Sequence, residues 1–400
     1  MKTVCIGGKN NIAVRILEYI RTCYPDVKLL FVPVRNDNGV NSWQRSAKLY
    51  CEQNGIQIVD LEDIYNIDDL MFLSLEFDRI IKPERFKSDK LFNIHFSLLP
   101  KYKGVATSVL PILYGESKTG VTLHRIRRGI DTGEIIDQTE IPIHYDMNSF
   151  QLYDRLTEEG INLVKKHLID LIEGEYEYRH QGKKESSYYS RSIIDYSKLK
   201  LEVNATANQI HNQIRAFAFR PYQLLTFNGV SLIGSRITNI MSIKKPGTVI
   251  KEDDVCYTLS SIDYDIVIYK DVLASLIKEI SLGDNNKAKH LCFYNQIINE
   301  KDEHGWTPLT VAVYNNNIEM VRYLVRHGAD VKVVNNNGTT LMMYAKDAYL
   351  NTGDNRLFKY LIILGLDPCQ KDYGGLSLID YCDGELLKKL GVNEKITPGG

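Results

Sequence analysis

Through the first two hundred residues, short apolar runs alternate with stretches of helical spacing. "TVCIG" precedes "NIAVRILEYIRTC", where Ile12, Val14, Ile16, Leu17 and Ile20 recur on one helical face. "VKLLFVPV" reads as a second strand and "SWQRSAKLYCEQNG" as a second helix stopped by Gly55. "IQIV", "MFLSLEF" and "LFNIHF" add further strands, and an amphipathic helix from Ser149 to Glu173 closes the region. Strands and helices alternating at this length bury both faces of a sheet, which predicts an α/β domain with a mostly parallel sheet over residues 1–200.

The pattern changes after 200. "ATANQIHNQIRAFAF" has helical spacing, and the short β-type runs "QLLTF", "VSLIGSRITNI", "GTVI", "VCYTLS" and "YDIVIY" follow it. Asn228-Gly229 marks a hairpin turn, so residues 201–270 predict a small β-rich unit. Beyond 270 the chain repeats. Gly305-Trp306-Thr307-Pro308-Leu309 returns 33 positions later as Gly338-Thr339-Thr340-Leu341-Met342, and faintly at Gly375-Leu376-Ser377-Leu378-Ile379. Gly328-Ala329-Asp330 returns as Gly365-Leu366-Asp367. This period and wording resemble ankyrin repeats, which implies an α-helical ankyrin-repeat domain over 271–400. Residues 271–300 fit a degenerate capping repeat, and "LNTGDN" reads as an insertion between two helices. Trp306 occupies the variable position of its repeat, where a large ring is expected to touch a protein, the first domain or a planar small molecule.

Composition limits the functional classes. The formal net charge is -1, without the basic surplus of a general nucleic-acid binder. The seven cysteines include no CxxC pair, so neither a disulfide framework nor a structural zinc site is expected, and a cytoplasmic protein fits. "MKTVCIGGKNN" has too short an apolar run for a signal peptide, and no stretch is long and apolar enough for a membrane span.

The chemistry is concentrated in "FNIHFSLLPKYKG". Alternate residues of a strand face the same way, so Asn93, His95 and Ser97 share one face while Phe92, Ile94 and Phe96 share the other. Open α/β sheets bind ligands at the C-terminal ends of their strands. An amide donor and an imidazole held there suit reaction at a carbonyl carbon, with one stabilising the oxyanion and the other handling a proton. Asp131, in "GVTLHRIRRGIDTGEII", lies on a loop before a strand and adds a carboxylate that would orient His95 or take a proton itself. His124 with His95 and Asp131 would also make a two-His, one-carboxylate metal set, but it sits in a strand pattern with Val121, Leu123 and Ile126 and is read as structural.

These two segments resemble the formyltransferase family that uses N10-formyltetrahydrofolate. Asn93, His95, Ser97, Leu98, Leu99, Pro100, Tyr102, Gly104, His124, Asp131 and Gly133 fill the family pattern. The match is strong over residues 70–145 and holds in outline over the rest of the first 200. The resemblance implies a Rossmann-like formyltransferase fold and no metal. It implies that Asn93 polarises the formyl carbonyl, that His95 carries a proton or adds a second oxyanion donor, and that Asp131 orients His95. It sets the folate pterin against the backbone around Ile80, Ile81 and Lys82.

The acceptor must be chosen separately. Residues 201–270 hold seven Lys plus Arg and six Asp plus Glu, which is close to neutral and unlike a tRNA-binding domain. A nucleotide-linked amino sugar fits better. Lys9 and Asn10 in "GGKNN" begin a helix and would hold a diphosphate, although a plain helix cap explains the same residues. Tyr222 in "FAFRPYQ" and Arg191 in "YYSRSIIDYS" place aromatic rings beside Arg, as needed to stack a base and pair with its phosphates. The layout resembles bacterial sugar N-formyltransferases acting on dTDP-linked amino-dideoxyhexoses for surface polysaccharide (O-antigen), with the 3-amino class favoured. The alternatives are a 4-amino acceptor, methionyl-tRNA formylation, and an inactive ankyrin scaffold. A homodimer is expected.

Overall fold

The computed structural model describes residues 2–182, 184–292 and 295–392. The chain divides into two compact units, 1–251 with 258–268, and 252–257 with 269–400.

In the first unit the expected alternation is present. The elements run β1 (Thr3–Gly8), α1 (Asn10–Cys23), β2 (Lys28–Pro33), α2 (Ala47–Gln53), β3 (Gln57–Ile58), α3 (Leu61–Ile64), β4 (Leu70–Leu75), β5 (Leu91–His95) and β6 (Lys103–Gly104). They continue with α4 (Leu110–Leu113), β7 (Lys118–Arg125), β8 (Ile135–Pro142), α5 (Ser149–Glu173), β9 (Tyr188–Tyr189) and α6 (Ala207–Phe217). The main sheet has the order β3-β2-β1-β4-β5-β7-β8. β3 to β5 are parallel, and β7 and β8 are antiparallel additions. The second helix is shorter than the sequence pattern suggests, because Ser46 caps it through the Leu49 N–H.

Strand order reverses between β1 and β4, which opens a crevice at their C-terminal ends. These strands pack closely because Gly7 and Gly8 carry no side chain. A Cβ on Gly8 would stand 2.3 Å from the Leu75 carbonyl oxygen. One face of the sheet is covered by α1 and α5, with Ile12, Ile94 and Phe96 converging on Gly160. On the other face Cys5, Leu30, Val32, Leu61, Ile64, Phe72 and Ile81 make a second apolar cluster.

A five-stranded sheet follows in the order β10-β11-β14-β13-β12, from β10 (Thr226–Phe227), β11 (Val230–Met241), β12 (Val249–Glu252), β13 (Cys256–Leu259) and β14 (Tyr264–Lys270). Asn228 and Gly229 both have positive φ, 49° and 78°, and form the expected turn between β10 and β11.

The second unit holds α7 (Leu273–Leu282), α8 (Asn285–Leu291), α9 (Pro308–Tyr314), α10 (Ile318–Arg326), α11 (Leu341–Thr352), α12 (Arg356–Ile363) and α13 (Gly384–Leu390). The repeated threonines explain the repeated wording, since Thr307 and Thr340 cap α9 and α11. The expected insertion is only partly a connection: Leu350, Asn351 and Thr352 extend α11, which Gly353 ends at φ 70°, and 353–355 alone lead to α12. Residues 393–400 of the expected repeat domain lie outside the described residues. Val255 packs into the core of this unit with Leu273, Leu276 and Ile280. No helix of the described residues is long and apolar enough to cross a membrane.

Candidate active site

Asn93 and His95 lie on one face of β5, at the end of the sheet where the crevice opens. Across the β5–β7 pair Asn93 stands opposite His124. The two side chains meet, Asn93 Nδ2 to His124 Nε2 at 3.0 Å. His124 Nδ1 is 2.8 Å from the Arg125 carbonyl oxygen. A carbonyl only accepts, so Nδ1 carries the proton and Nε2 is left to accept from Asn93. One Asn93 N–H is thereby fixed, and the amide plane is set so that the other can face a ligand.

The same logic assigns the neutral form of His95. Its Nε2 donates to the Tyr102 carbonyl oxygen at 2.8 Å, so Nδ1 is the bare nitrogen. That atom lies 3.5 Å from Asp131 Oδ2. Burial pushes the His95 pKa below its ordinary value, with Asp131 and the Tyr102 carbonyl pulling back. Burial opposes ionisation of Asp131 too, but His95, His124 and the Gly104 N–H outweigh it and hold the carboxyl at about 2. The site is thus a neutral imidazole with an open nitrogen beside a carboxylate ready to stabilise the imidazolium.

Asp131 is held from three sides. Its φ is 52°, the Gly104 N–H donates to Oδ2 at 2.8 Å, and Gln181 Nε2 donates to its carbonyl at 2.8 Å. Gly133 must be glycine, because a Cβ there would stand 1.7 Å from the Arg125 carbonyl oxygen. Gly104 belongs to β6, which pairs with β9. Arg191 follows β9 and lines an open hollow of about 250 Å³ with Val105, Ala106, Ile193, Ile194 and Tyr196.

The remaining expected site residues are dispersed. Ile80 and Lys82 are exposed, whereas the Ile81 side chain is in the core, so only its backbone is available to a ligand. Lys9 precedes α1 in extended conformation and its side chain does not cap the helix; Gln44 Oε1 accepts the Asn11 N–H of the first turn at 2.9 Å instead. Asn10 is engaged instead with Glu76 and Tyr153, at 2.9 and 3.3 Å. Asn11 Oδ1 accepts from the Arg45 N–H. Neither asparagine therefore serves as the expected cap. The exposed Tyr222 packs edge-on to Trp43, ring centroids 5.5 Å apart, and against Phe219. Trp306 is half-buried against Tyr314 and Tyr344 rather than presented to water.

Sequence reasoning undervalued His124, whose contact with Asn93 follows from the antiparallel β5–β7 register. It missed Trp43 and Glu76 altogether. Among the described residues no group of three His, Cys, Asp or Glu side chains is disposed to hold a metal.

Comparison with known proteins agrees with this geometry. Residues 68–168 match the formyl transferase family, and residues 276–372 match ankyrin repeats in three copies. The chain is 28% identical over 228 residues to a methionyl-tRNA formyltransferase of Clostridioides difficile, covering 56% of this chain and 73% of that one. Two solved structures are 45% identical with a TM-score of 0.63, and each covers 68% of this chain. One is WlaRD, a sugar 3N-formyl transferase crystallised in the presence of dTDP and 5-N-formyl-THF, 98% of which is covered. The other is the N-formyltransferase of Helicobacter canadensis in complex with folinic acid and dTDP-3-aminofucose, covered completely at 100%. With Asn93, His95 and Asp131 assembled at the end of such a sheet, and near-complete coverage of relatives at this identity, the chain belongs to the formyltransferase family and carries ankyrin repeats after its formyltransferase region.

Proposed function

We propose that this protein moves a formyl group from N10-formyltetrahydrofolate to the 3-amino group of a dTDP-linked 3-amino-3,6-dideoxyhexose. The observation that carries the reading is the 45% identity to two sugar N-formyltransferases along essentially their whole length, one solved with dTDP and the other with dTDP-3-aminofucose. The methionyl-tRNA formyltransferase likeness is lower, at 28% and 30% for two of these relatives. The near-neutral 201–270 segment also favours a sugar over tRNA.

The donor supplies an electrophilic formyl carbon bonded to nitrogen. The free N–H of Asn93 donates to the formyl oxygen as negative charge develops on it. His95 Nδ1 accepts the proton that the attacking amine releases, and Asp131 stabilises the resulting imidazolium. The same proton is then delivered to the departing donor nitrogen as its bond to the formyl carbon breaks. Ile80, the Ile81 backbone and Lys82 would border the pterin. Lys9, Arg191 and Tyr222 would serve the diphosphate and base.

Mass spectrometry tests the reading. Purified protein is mixed with N10-formyltetrahydrofolate and, in turn, dTDP-3-amino-, dTDP-4-amino- and UDP-4-amino-sugars and charged methionyl-tRNA. The expected result is a gain of one formyl group on the dTDP-3-amino sugar, with turnover reduced ~100- to 1000-fold in Asn93→Ala. Formylation of methionyl-tRNA alone, or of nothing, sinks it.

A further inference from the structure

Glu76 follows the C-terminal end of β4 with φ at 54°, a left-handed conformation that side chains other than glycine rarely adopt. The side chain is only partly exposed, and desolvation raises its pKa against the pull of Asn10, Lys9 and Tyr153. Two unfavourable choices at one residue point to a use outside folding, since glycine would relieve both. The hydrogen bonds do not account for the cost. Asn10 Nδ2 and the Tyr153 hydroxyl both donate to Oε2, at 2.9 and 2.8 Å, while Oε1 has no hydrogen-bond partner among the described residues.

The position is informative. Leu75 pairs with Ile94 at the end of the parallel β4–β5 ladder, so Glu76 and His95 each follow the last paired residue of neighbouring strands, at the same end of the sheet. Aromatic rings surround the place. Trp43 packs on Tyr153, Phe219 and Tyr222 with centroids 5.6, 5.4 and 5.5 Å apart, and Tyr153 touches Phe96 next to His95. An acceptor oxygen beside aromatic faces is the chemistry that reads a sugar, with rings against its C–H face and a carboxyl on its hydroxyls.

We propose that Glu76 is a specificity-determining residue: its open Oε1 accepts a hydrogen bond from the hexose hydroxyl adjacent to the reacting amine, and so selects the epimer whose amine reaches His95. This rests on the sugar-acceptor reading above. A site built to bond a hydroxyl discriminates strongly against a substrate that cannot present it.

The test compares dTDP-3-aminofucose with dTDP-3-aminoquinovose, which differ only at the carbon next to the amine. The kcat/KM ratio is measured in the wild type, Glu76→Ala and the near-isosteric Glu76→Gln. The wild type is expected to prefer one epimer by about tenfold or more. Glu76→Ala should bring the ratio within about twofold. The folate KM should be unchanged, while the thermal midpoint of Glu76→Ala should fall somewhat, because the Asn10 amide and the Tyr153 hydroxyl lose their acceptor and the positive φ remains. Glu76→Gln, which keeps an acceptor oxygen, should retain part of the preference. An unchanged ratio in both variants, or a wild type without preference, overturns the role of Glu76 while leaving the sugar reading intact. Formylation of neither sugar by the wild type overturns both.

Discussion

At the scale of the residue, the site depends on which nitrogen carries which proton. His95 and His124 each give one N–H to a backbone carbonyl, and this leaves one bare nitrogen for Asp131 to face and another for Asn93 to bond. The consequence appears in the pH dependence. His95 is displaced below 6.5, so its base form persists below that pH, and the acidic limb of kcat/KM is expected below pH 6.5. Asp131→Asn removes the charge that pulls the His95 pKa back up. The limb should move to still lower pH, and the plateau should fall about 100-fold or more. A limb that stays in place would remove Asp131 from the proton-handling group. Stability follows a definite sign. The Asp131 carboxyl falls from 3.8 to about 2 on folding, so its contribution is present above pH 3.8 and is lost as pH falls toward 2. His95 acts earlier: the unfolded chain protonates first, so acidification from about pH 6.5 already costs stability.

At the scale of the element, the short β6–β9 pair ties the strand that bonds Asp131 to the segment bearing Arg191. Gly104 is the joint, with φ at 92° and an N–H on Asp131. A Cβ there would stand 2.1 Å from the Tyr189 carbonyl oxygen. Gly104→Ala should therefore separate the two strands and release Asp131 together. The expected outcome is a lower melting temperature and a fall in kcat of at least about tenfold, read by thermal unfolding and steady-state rates. A stability loss with undiminished kcat would show that the pairing does not position the carboxylate. Much at this scale was legible beforehand. Periodicity gave α1 and α5, and Asn228-Gly229 gave its turn. β3 was harder to judge, because only Gln57 and Ile58 pair at the sheet edge.

At the scale of the whole molecule, each unit has its own apolar core. Trp306 contributes to that of the repeats through Tyr314 and Tyr344. Trp306→Ala is expected to destabilise the repeat unit by about 2 kcal/mol, since only part of the ring is buried. Calorimetry reads that loss. Substrate saturation and mass measured on the same sample separate its uses: a changed saturation curve at constant mass points to a ligand site or coupled docking, and a changed mass to assembly. No loss of stability would remove Trp306 from the core.

The sequence by itself determined the sheet-and-helix alternation, the repeat period and the Asn93–His95 pair, because each is local: side-chain direction repeats every two or 3.6 residues, and a motif is contiguous. Tertiary structure alone decided what required a neighbouring strand. His124 reads as one more residue of an apolar strand until antiparallel register sets it opposite Asn93. Glu76 reads as the end of "MFLSLEF" until its positive φ and the crevice between β1 and β4 turn its carboxyl toward Asn10 and Tyr153. Trp43 gains meaning only when Tyr153 and Tyr222 converge on it from distant parts of the chain. Register, backbone sign and convergence depend on contacts between residues far apart in sequence, and residue order does not record them.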